Sequence, residues 1–161
     1  MVEHLPYTHN CFVCGVDNPH GLHLRFSSAN DEVTSDFTPR VEHAGYPGVL
    51  HGGVVGAALD EAMFWAATHG VSRMHLSAEL TVRYRKKVEV GCSYRLVARI
   101  VKAARSMCRT EAELLDADGE VCANATGKYL PLPKEDADLV LQDFHADDST
   151  VPLERYLDNR D

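Results

Sequence analysis

The stretch VLHGGVVGAALDEAMFWAA, residues 49–67, places two adjacent acids in an almost wholly apolar run. Residues 54–68 are rich in Ala, Leu and Met, and Gly70 follows them, which predicts one helix. The predicted helix is apolar nearly all round, and such a helix is stable only when other elements enclose it. We therefore expect a buried central helix that carries a carboxylate, Asp60, among apolar neighbours.

Strand-like runs lie on both sides of this helix. GLHLRF and EVTSDF precede it and predict a hairpin with SSAND as its turn. Four longer runs follow it, and the turn signals between them favour antiparallel neighbours. These runs cover residues 75–88, 93–103, 106–117 and 120–132. Two strands, one helix and four strands predict an α+β fold with one large antiparallel sheet against the helix.

Length and composition bound the class of protein. The 161 residues suffice for one ordinary domain, which we place at residues 1–133, followed by an acidic, peripheral tail at residues 134–161. No run has the length and apolarity of a membrane span, and MVEHLPYTHN lacks the features of a signal peptide. We therefore expect a cytoplasmic protein that does not bind membranes.

Charge is unevenly distributed along the chain. Residues 134–161 hold nine acids against three bases, whereas residues 77–109 hold nine bases against two acids. A basic zone on a chain of net charge −8 predicts a small anionic ligand and no nucleic acid. The alternative is that these bases lie on solvated faces of strands.

Two glycines stand where a helix is normally capped. Gly52 and Gly53 occupy positions at which a Ser, Thr or Asp side chain would accept the first amide hydrogens. We expect these N–H groups to be free, so that they and the helix dipole could stabilise an oxyanion during acyl transfer. The alternative is an ordinary loop-to-helix turn.

Asp60 is the candidate catalytic acid. A carboxylate among apolar groups loses hydration, which raises its pKa and marks a functional candidate unless it is paired or half-exposed. Glu61 lies about 100° further round the helix and cannot share the same site. Asp60 is eight residues, or about 12 Å, beyond Gly52. Two antiparallel copies in a two-fold dimer would bring the two groups together, so we predict a site shared between subunits.

Three segments carry a resemblance to a known family. CFVCGVDNPHGLHLRF, GYPGVLHGGVVGAALDEA and LSAELTVRYRKKVEVG resemble the hotdog-fold acyl-CoA thioesterases, in particular the phenylacetate-type thioesterase group. The resemblance covers roughly residues 10–132. It implies a curved antiparallel sheet wrapped round one central helix, in a homodimer or a homotetramer built as a dimer of dimers.

The resemblance also implies roles for single residues. Gly52 or Gly53 would donate its backbone N–H to the thioester oxygen, and Asp60 of the opposite subunit would act as general base or nucleophile. Ser77 would position the water or the carboxylate. Basic residues would meet the nucleotide end of coenzyme A, namely Arg83, Arg85 and Lys86. The sequence departs from some relatives at Gly45, where they carry Asn, and at Lys87, where proline is usual.

Other residues of the stretch have less specific expectations. His51 could orient the loop or touch the substrate, although a loop histidine bonded to backbone is an alternative. Met63 and Phe64, with Trp65, are expected to line an apolar tunnel for the acyl chain.

The cysteines suggest reduced thiols. Their number is odd, and we expect Cys92, Cys108 and Cys122 to be small core residues. Cys11 and Cys14, with nearby His9, His20 and His23, could seed a zinc site. A structural zinc needs four ligands, however, and no second CxxC or spaced His pair follows. We therefore predict no metal, and packing of this segment over the dimer or the substrate channel.

The predicted function is hydrolysis of an acyl-CoA thioester to a free acid and coenzyme A. No cofactor is expected, because coenzyme A is part of the substrate. Two alternatives stay open: an acyl-CoA hydratase or dehydratase on the same fold, and a non-catalytic acyl-CoA or lipid sensor.

Overall fold

Helix α1 spans Gly52–Val71 in the computed structural model, which describes residues 1–145 and 147–157. It begins two residues earlier than the sequence predicts and continues past Gly70. The helix ends where Ser72 takes a left-handed conformation with φ of 54°. Most of its side chains are buried, so the prediction of an enclosed apolar helix is confirmed.

Strands precede and follow α1. Before the helix lie β1 (Glu3–His4), β2 (Tyr7–Thr8), β3 (Ser27–Ala29), β4 (Glu32–Phe37), β5 (Ala44–Tyr46) and β6 (Val49–Leu50). After it lie β7 (His75–Tyr84), β8 (Tyr94–Ala104), β9 (Met107–Leu115), β10 (Val121–Pro131), the helix α2 (Lys134–Leu141) and β11 (Phe144–His145). The four long runs predicted after α1 are therefore all strands.

One antiparallel sheet of seven strands carries the fold. Its order is β1-β3-β4-β8-β9-β10-β7. The helix packs across it, and the largest fully buried side chains belong to both layers, among them Trp65, Leu59, Leu96 and Leu114. Cys108 and Cys122 lie in this core, as predicted, whereas Cys92 is exposed. The predicted α+β architecture is confirmed.

The first hairpin differs from the prediction. Residues 21–26 form no strand; instead the amides of Leu22 and Leu24 donate to the carbonyls of Phe12 and Val13. Residues predicted to be the turn form β3, and the chain reverses at Asn30 and Asp31, which both have positive φ. The alternation in GLHLRF thus reflects packing against the N-terminal segment rather than pairing in the sheet.

The C-terminal segment packs on the rest of the chain. Strand β11 pairs with β2, and Leu141, Val151 and Tyr156 are buried. The Tyr156 ring meets Trp65 of α1 at a centroid distance of 5.8 Å. As far as residue 157, the acidic tail is therefore less peripheral than its composition predicts. Within the described ranges, neither helix combines the length and apolarity needed to cross a membrane.

Candidate active site

The Asp60 carboxylate lies on the partly exposed face of α1 and is held by two hydroxyl groups. Tyr129 Oη donates to Oδ1 at 2.7 Å, and Ser77 Oγ donates to Oδ2 at 3.2 Å. Both donors lie on neighbouring strands, β10 and β7, which pack beneath the helix. Among the residues that the structure describes, Asp60 has no ion pair, and the two hydrogen bonds fix the orientation of its carboxylate. The contact with Ser77 is compatible with the role that the resemblance implies.

Tyr129 is a site residue that the sequence analysis missed. Its ring is fully buried, and this burial raises the pKa of Tyr129 far above its ordinary value, so the hydroxyl remains a donor. A register shift between Lys128 and Tyr129 accompanies the placement of this side chain in β10. A Cβ on Gly127 would lie 2.6 Å from the Tyr129 ring, so only glycine leaves the ring its place. Nothing local in YLPL marks this tyrosine, because its partner is 69 residues away.

The start of α1 corrects one expectation. His51 caps the helix, because its Nδ1 accepts the N–H of Gly53 at 2.9 Å. The Gly53 amide is therefore already bonded, and the prediction that no side chain serves as a cap is wrong. The amide of Gly52 has no hydrogen-bond partner among the residues described. Of the two glycines, Gly52 is thus the one able to bind an incoming oxygen.

A cleft of about 640 Å³ opens at this end of the helix. His51, Gly52 and the Tyr84 ring line it, and Tyr84 Oη donates to the Gly52 carbonyl at 2.8 Å. Three consecutive basic residues also reach the cleft, Arg85, Lys86 and Lys87. The cleft therefore combines an available amide with positive charge.

Acidic neighbours compensate part of that charge. Lys86 contacts Asp116 at 3.3 Å, and Lys87 contacts Glu89 at 2.7 Å. Arg85 instead donates to the neutral amide oxygen of Asn124 at 2.8 Å. Within residues 1–145 and 147–157 it has no ion pair, so it is the base most available to an anionic ligand.

The remaining predicted residues are not gathered at this cleft. Asp60 lies further along α1, and Ser77 lies beside it on β7. Arg83 is exposed outside the lining, and Phe64 is partly buried one turn beyond Asp60. Met63 has no accessible surface, because it is on the helix face turned toward the sheet. In the single chain it belongs to the core and not to an open tunnel. One chain thus places the Gly52 cleft and the Asp60 carboxylate at different positions along one helix.

Strand β7 ends the large sheet and lies beside both the cleft and Asp60. Its outer edge pairs with no other strand in the described part of the chain. Leu76, Leu80 and Tyr84 of this strand are exposed. An unpaired edge with exposed apolar side chains is suited to association with another chain.

A second cluster lies beside the first. Cys11, Cys14 and Glu61 place one sulfur or carboxylate oxygen each within 4.8 Å of one another. The Cys14 thiol, through its hydrogen bond, lowers the pKa of Cys11 to about 6, and the same interaction raises the pKa of Cys14. Burial raises the pKa of Glu61 to about 8. Glu61 thus faces the N-terminal segment, whereas Asp60 faces β7 and β10, which agrees with the predicted divergence of the two acids.

Comparison with known proteins shows which family part of the chain resembles. Residues 47–123 match the family model of the thioesterase superfamily. That segment contains α1, Asp60, Gly52 and most of the cleft. The architecture of one helix against one antiparallel sheet is the hotdog fold, and the matched segment, just under half of the chain, is similar to the thioesterase superfamily. The resemblance stated from the sequence is confirmed at this level.

Individual relatives are distant. An uncharacterized protein of Schizosaccharomyces pombe is 29% identical over 99 residues, which are 58% of this chain and 57% of the relative. The chain therefore spans little more than half the length of this curated relative. A crystal structure of a thioesterase superfamily protein superposes with a TM-score of 0.72 at 24% identity, over 77% of this chain and 64% of the other.

A further solved structure was determined with a ligand. It is a hypothetical thioesterase from Streptococcus pneumoniae, crystallised with coenzyme A, with a TM-score of 0.60 at 15% identity. The match covers 63% of this chain and 82% of the other. At such identities, these likenesses establish the fold.

Proposed function

We propose that the protein hydrolyses an acyl-CoA thioester to a free acid and coenzyme A. The observation that carries the proposal is the Asp60 carboxylate, held by two hydroxyl groups on an accessible helix face. Oriented in this way, Asp60 would activate water as general base or attack the thioester carbon directly. The Gly52 amide would stabilise the negative charge that develops on the thioester oxygen.

The two groups act together only across a subunit boundary. They are about 12 Å apart along one helix, whereas base and oxyanion donor must both lie near the same reacting carbonyl. A second copy that adds to the free edge of β7 would cover Leu76, Leu80 and Tyr84. Its α1, antiparallel to the first, would bring its Asp60 toward the Gly52 cleft. We therefore propose a homodimer with two equivalent shared sites, compatible with further pairing into a tetramer.

Coenzyme A fits the charge of the cleft. Its phosphates would meet Arg85, with Lys86 and Lys87 adding positive potential despite their acidic partners. The thioester would then enter past His51 to Gly52. The coenzyme A bound by the Streptococcus pneumoniae relative supports this substrate class.

The test is thiol release from a series of acyl-CoA thioesters of different acyl length. Asp60→Asn is expected to lower kcat by at least about 100-fold, because it removes both the basicity and the nucleophilicity of the carboxylate. Asp138→Asn, on the exposed face of α2, is the matched control and is expected to keep wild-type turnover.

Three outcomes contradict the proposal. Asp60→Asn with near wild-type turnover removes the catalytic assignment. Tight acyl-CoA binding without turnover identifies a sensor, and hydration of an enoyl-CoA without thiol release identifies a hydratase.

For the shared site, mixing Asp60→Asn chains with chains blocked at the cleft by Gly52→Pro should restore part of the activity. No recovery in mixed dimers would show that each site is formed within one chain.

A further inference from the structure

The CxxC segment forms a turn whose sulfur atoms are oriented by the backbone. Gly15 N–H donates to the Cys11 carbonyl at 3.0 Å, and Val13 N–H donates to Cys11 Sγ at 3.2 Å. A Cβ on Gly15 would lie 2.6 Å from the Cys11 amide nitrogen and closer still to its carbonyl oxygen. Glycine is therefore required directly after the second cysteine. The turn is tight, and the two sulfur atoms lie within 4.8 Å of each other.

Helix α1 adds a third donor. Glu61 Oε2 lies 4.0 Å from Cys11 Sγ, and the three donor atoms are mutually within 4.8 Å. From metal–ligand lengths of about 2.3 Å for sulfur and 2.0 Å for oxygen, tetrahedral zinc needs donor separations of about 3.5–3.8 Å. Each donor therefore has to move by less than about 1 Å to coordinate one ion.

From this arrangement we infer that Cys11, Cys14 and Glu61 form a binding site for a divalent, thiolate-seeking cation of the Zn²⁺ class. Three protein donors leave the fourth position of a tetrahedron to water. The pairing of two soft sulfur ligands with one carboxylate suits Zn²⁺ and disfavours Mg²⁺ or Ca²⁺. The ion would tie the N-terminal segment to α1 one residue from Asp60.

Surrounding groups support the ligands. Thr8 Oγ1 lies 3.4 Å from Cys14 Sγ and also accepts the Cys11 N–H at 3.1 Å, so it orients both cysteines. Such outer contacts fix ligand geometry in metal sites. In the described part of the chain, no Lys, Arg or His side chain pairs with the Cys11 sulfur, the Cys14 sulfur or the Glu61 carboxylate. A bound cation would supply that missing charge.

Metal content tests the inference independently of any activity. Untagged protein, purified under reducing conditions, is dialysed against Zn²⁺ and then against metal-free buffer, and bound zinc is measured by mass spectrometry. We expect about one Zn²⁺ per wild-type chain, and a lower melting temperature after treatment with a chelator. Glu61→Gln keeps the shape of the side chain but removes the anionic ligand. It should weaken Zn²⁺ binding by more than about 100-fold, which exceeds the usual effect of removing a group that only supports a ligand.

Matched variants separate a metal site from a structural effect. Cys11→Ser with Cys14→Ser should abolish stoichiometric zinc and the effect of the chelator on melting. Cys92→Ser and Asp60→Asn should leave both unchanged, because Cys92 is exposed elsewhere and Asp60 faces another cluster. Zinc below about 0.1 per chain in folded wild-type protein after dialysis overturns the inference. So does equal binding by Glu61→Gln, or a metal-free protein in which Cys11 and Cys14 are joined as a disulfide.

Discussion

Removing the hydroxyl of Tyr129 tests the site most directly. Tyr129→Phe deletes one buried oxygen that donates to Asp60 Oδ1 at 2.7 Å and keeps the ring in place. A hydrogen bond to a charged group contributes about 1.5–3 kcal/mol. Because Asp60 is partly exposed, water can replace part of the lost hydrogen bond. We therefore use the lower end of this range, about 1.5 kcal/mol. If that energy is lost from the transition state, kcat falls about tenfold, since 1.4 kcal/mol corresponds to one power of ten.

The assay is steady-state thiol release together with denaturant unfolding. Tyr94→Phe is the matched control: Tyr94 is also buried, and its hydroxyl accepts the Glu89 N–H at 2.8 Å, away from Asp60. Both variants should lose about 1–2 kcal/mol of unfolding free energy, and only Tyr129→Phe should lose kcat. KM should change little, because the hydroxyl is not in the cleft.

A double-mutant cycle excludes a merely structural effect. If Tyr129 acts by orienting Asp60, Tyr129→Phe should lower kcat in the wild-type background and have no further effect in Asp60→Asn. A folded Tyr129→Phe protein whose kcat stays within twofold of wild type would refute the reasoning. Equal losses of kcat in the wild-type and Asp60→Asn backgrounds would also refute it.

Two further predictions concern the cleft and the end of the helix. Arg85→Ala should raise KM for acyl-CoA about tenfold, with a smaller effect at high salt, and leave KM unchanged for a short thioester without a nucleotide. Arg83→Ala is the control. Equal changes in KM for both substrates would contradict phosphate binding by Arg85. His69 is held by Glu3 near Arg155, and burial lowers the pKa of His69 below 6.5. Unfolding therefore takes up a proton, so the stability that neutral His69 contributes is present above pH 6.5 and is lost as the pH falls. His69→Asn should flatten this decline between pH 7 and 5 in denaturant titrations, and an unchanged slope would contradict it.

Local pattern accounts for the parts of the fold that were predicted. The apolar circumference of α1 requires enclosure, and the runs after it alternate with the period of strands. The failure at GLHLRF has a physical reason, because alternation reports which side chains are buried and not which backbone groups pair. Leu24 and Phe26 are buried, and their backbone groups bond to Val13 and Leu5 of the N-terminal segment. That segment supplies the hydrogen-bond partners that a neighbouring strand would have supplied.

The candidate site divides in the same way. Asp60 stands out from sequence because a carboxylate in an apolar helix is unusual, and Ser77 follows from the resemblance. For His51 the sequence allows a role in the loop, at the substrate or in a backbone hydrogen bond. Its capping bond to Gly53 depends on a side-chain rotamer that residue spacing does not specify. Tyr129 was missed because β10 reaches Asp60 only after the sheet has folded.

What the sequence determined by itself is therefore the element order, the enclosed helix and the acid on it, since these depend on residues within a few turns of one another. Only the tertiary structure decided which groups contact Asp60 and Glu61. Tyr129 reaches Asp60 across 69 positions, and Cys11 reaches Glu61 across 50. Contacts at such separations arise from the packing of whole elements, and periodicity in a single segment carries no information about them.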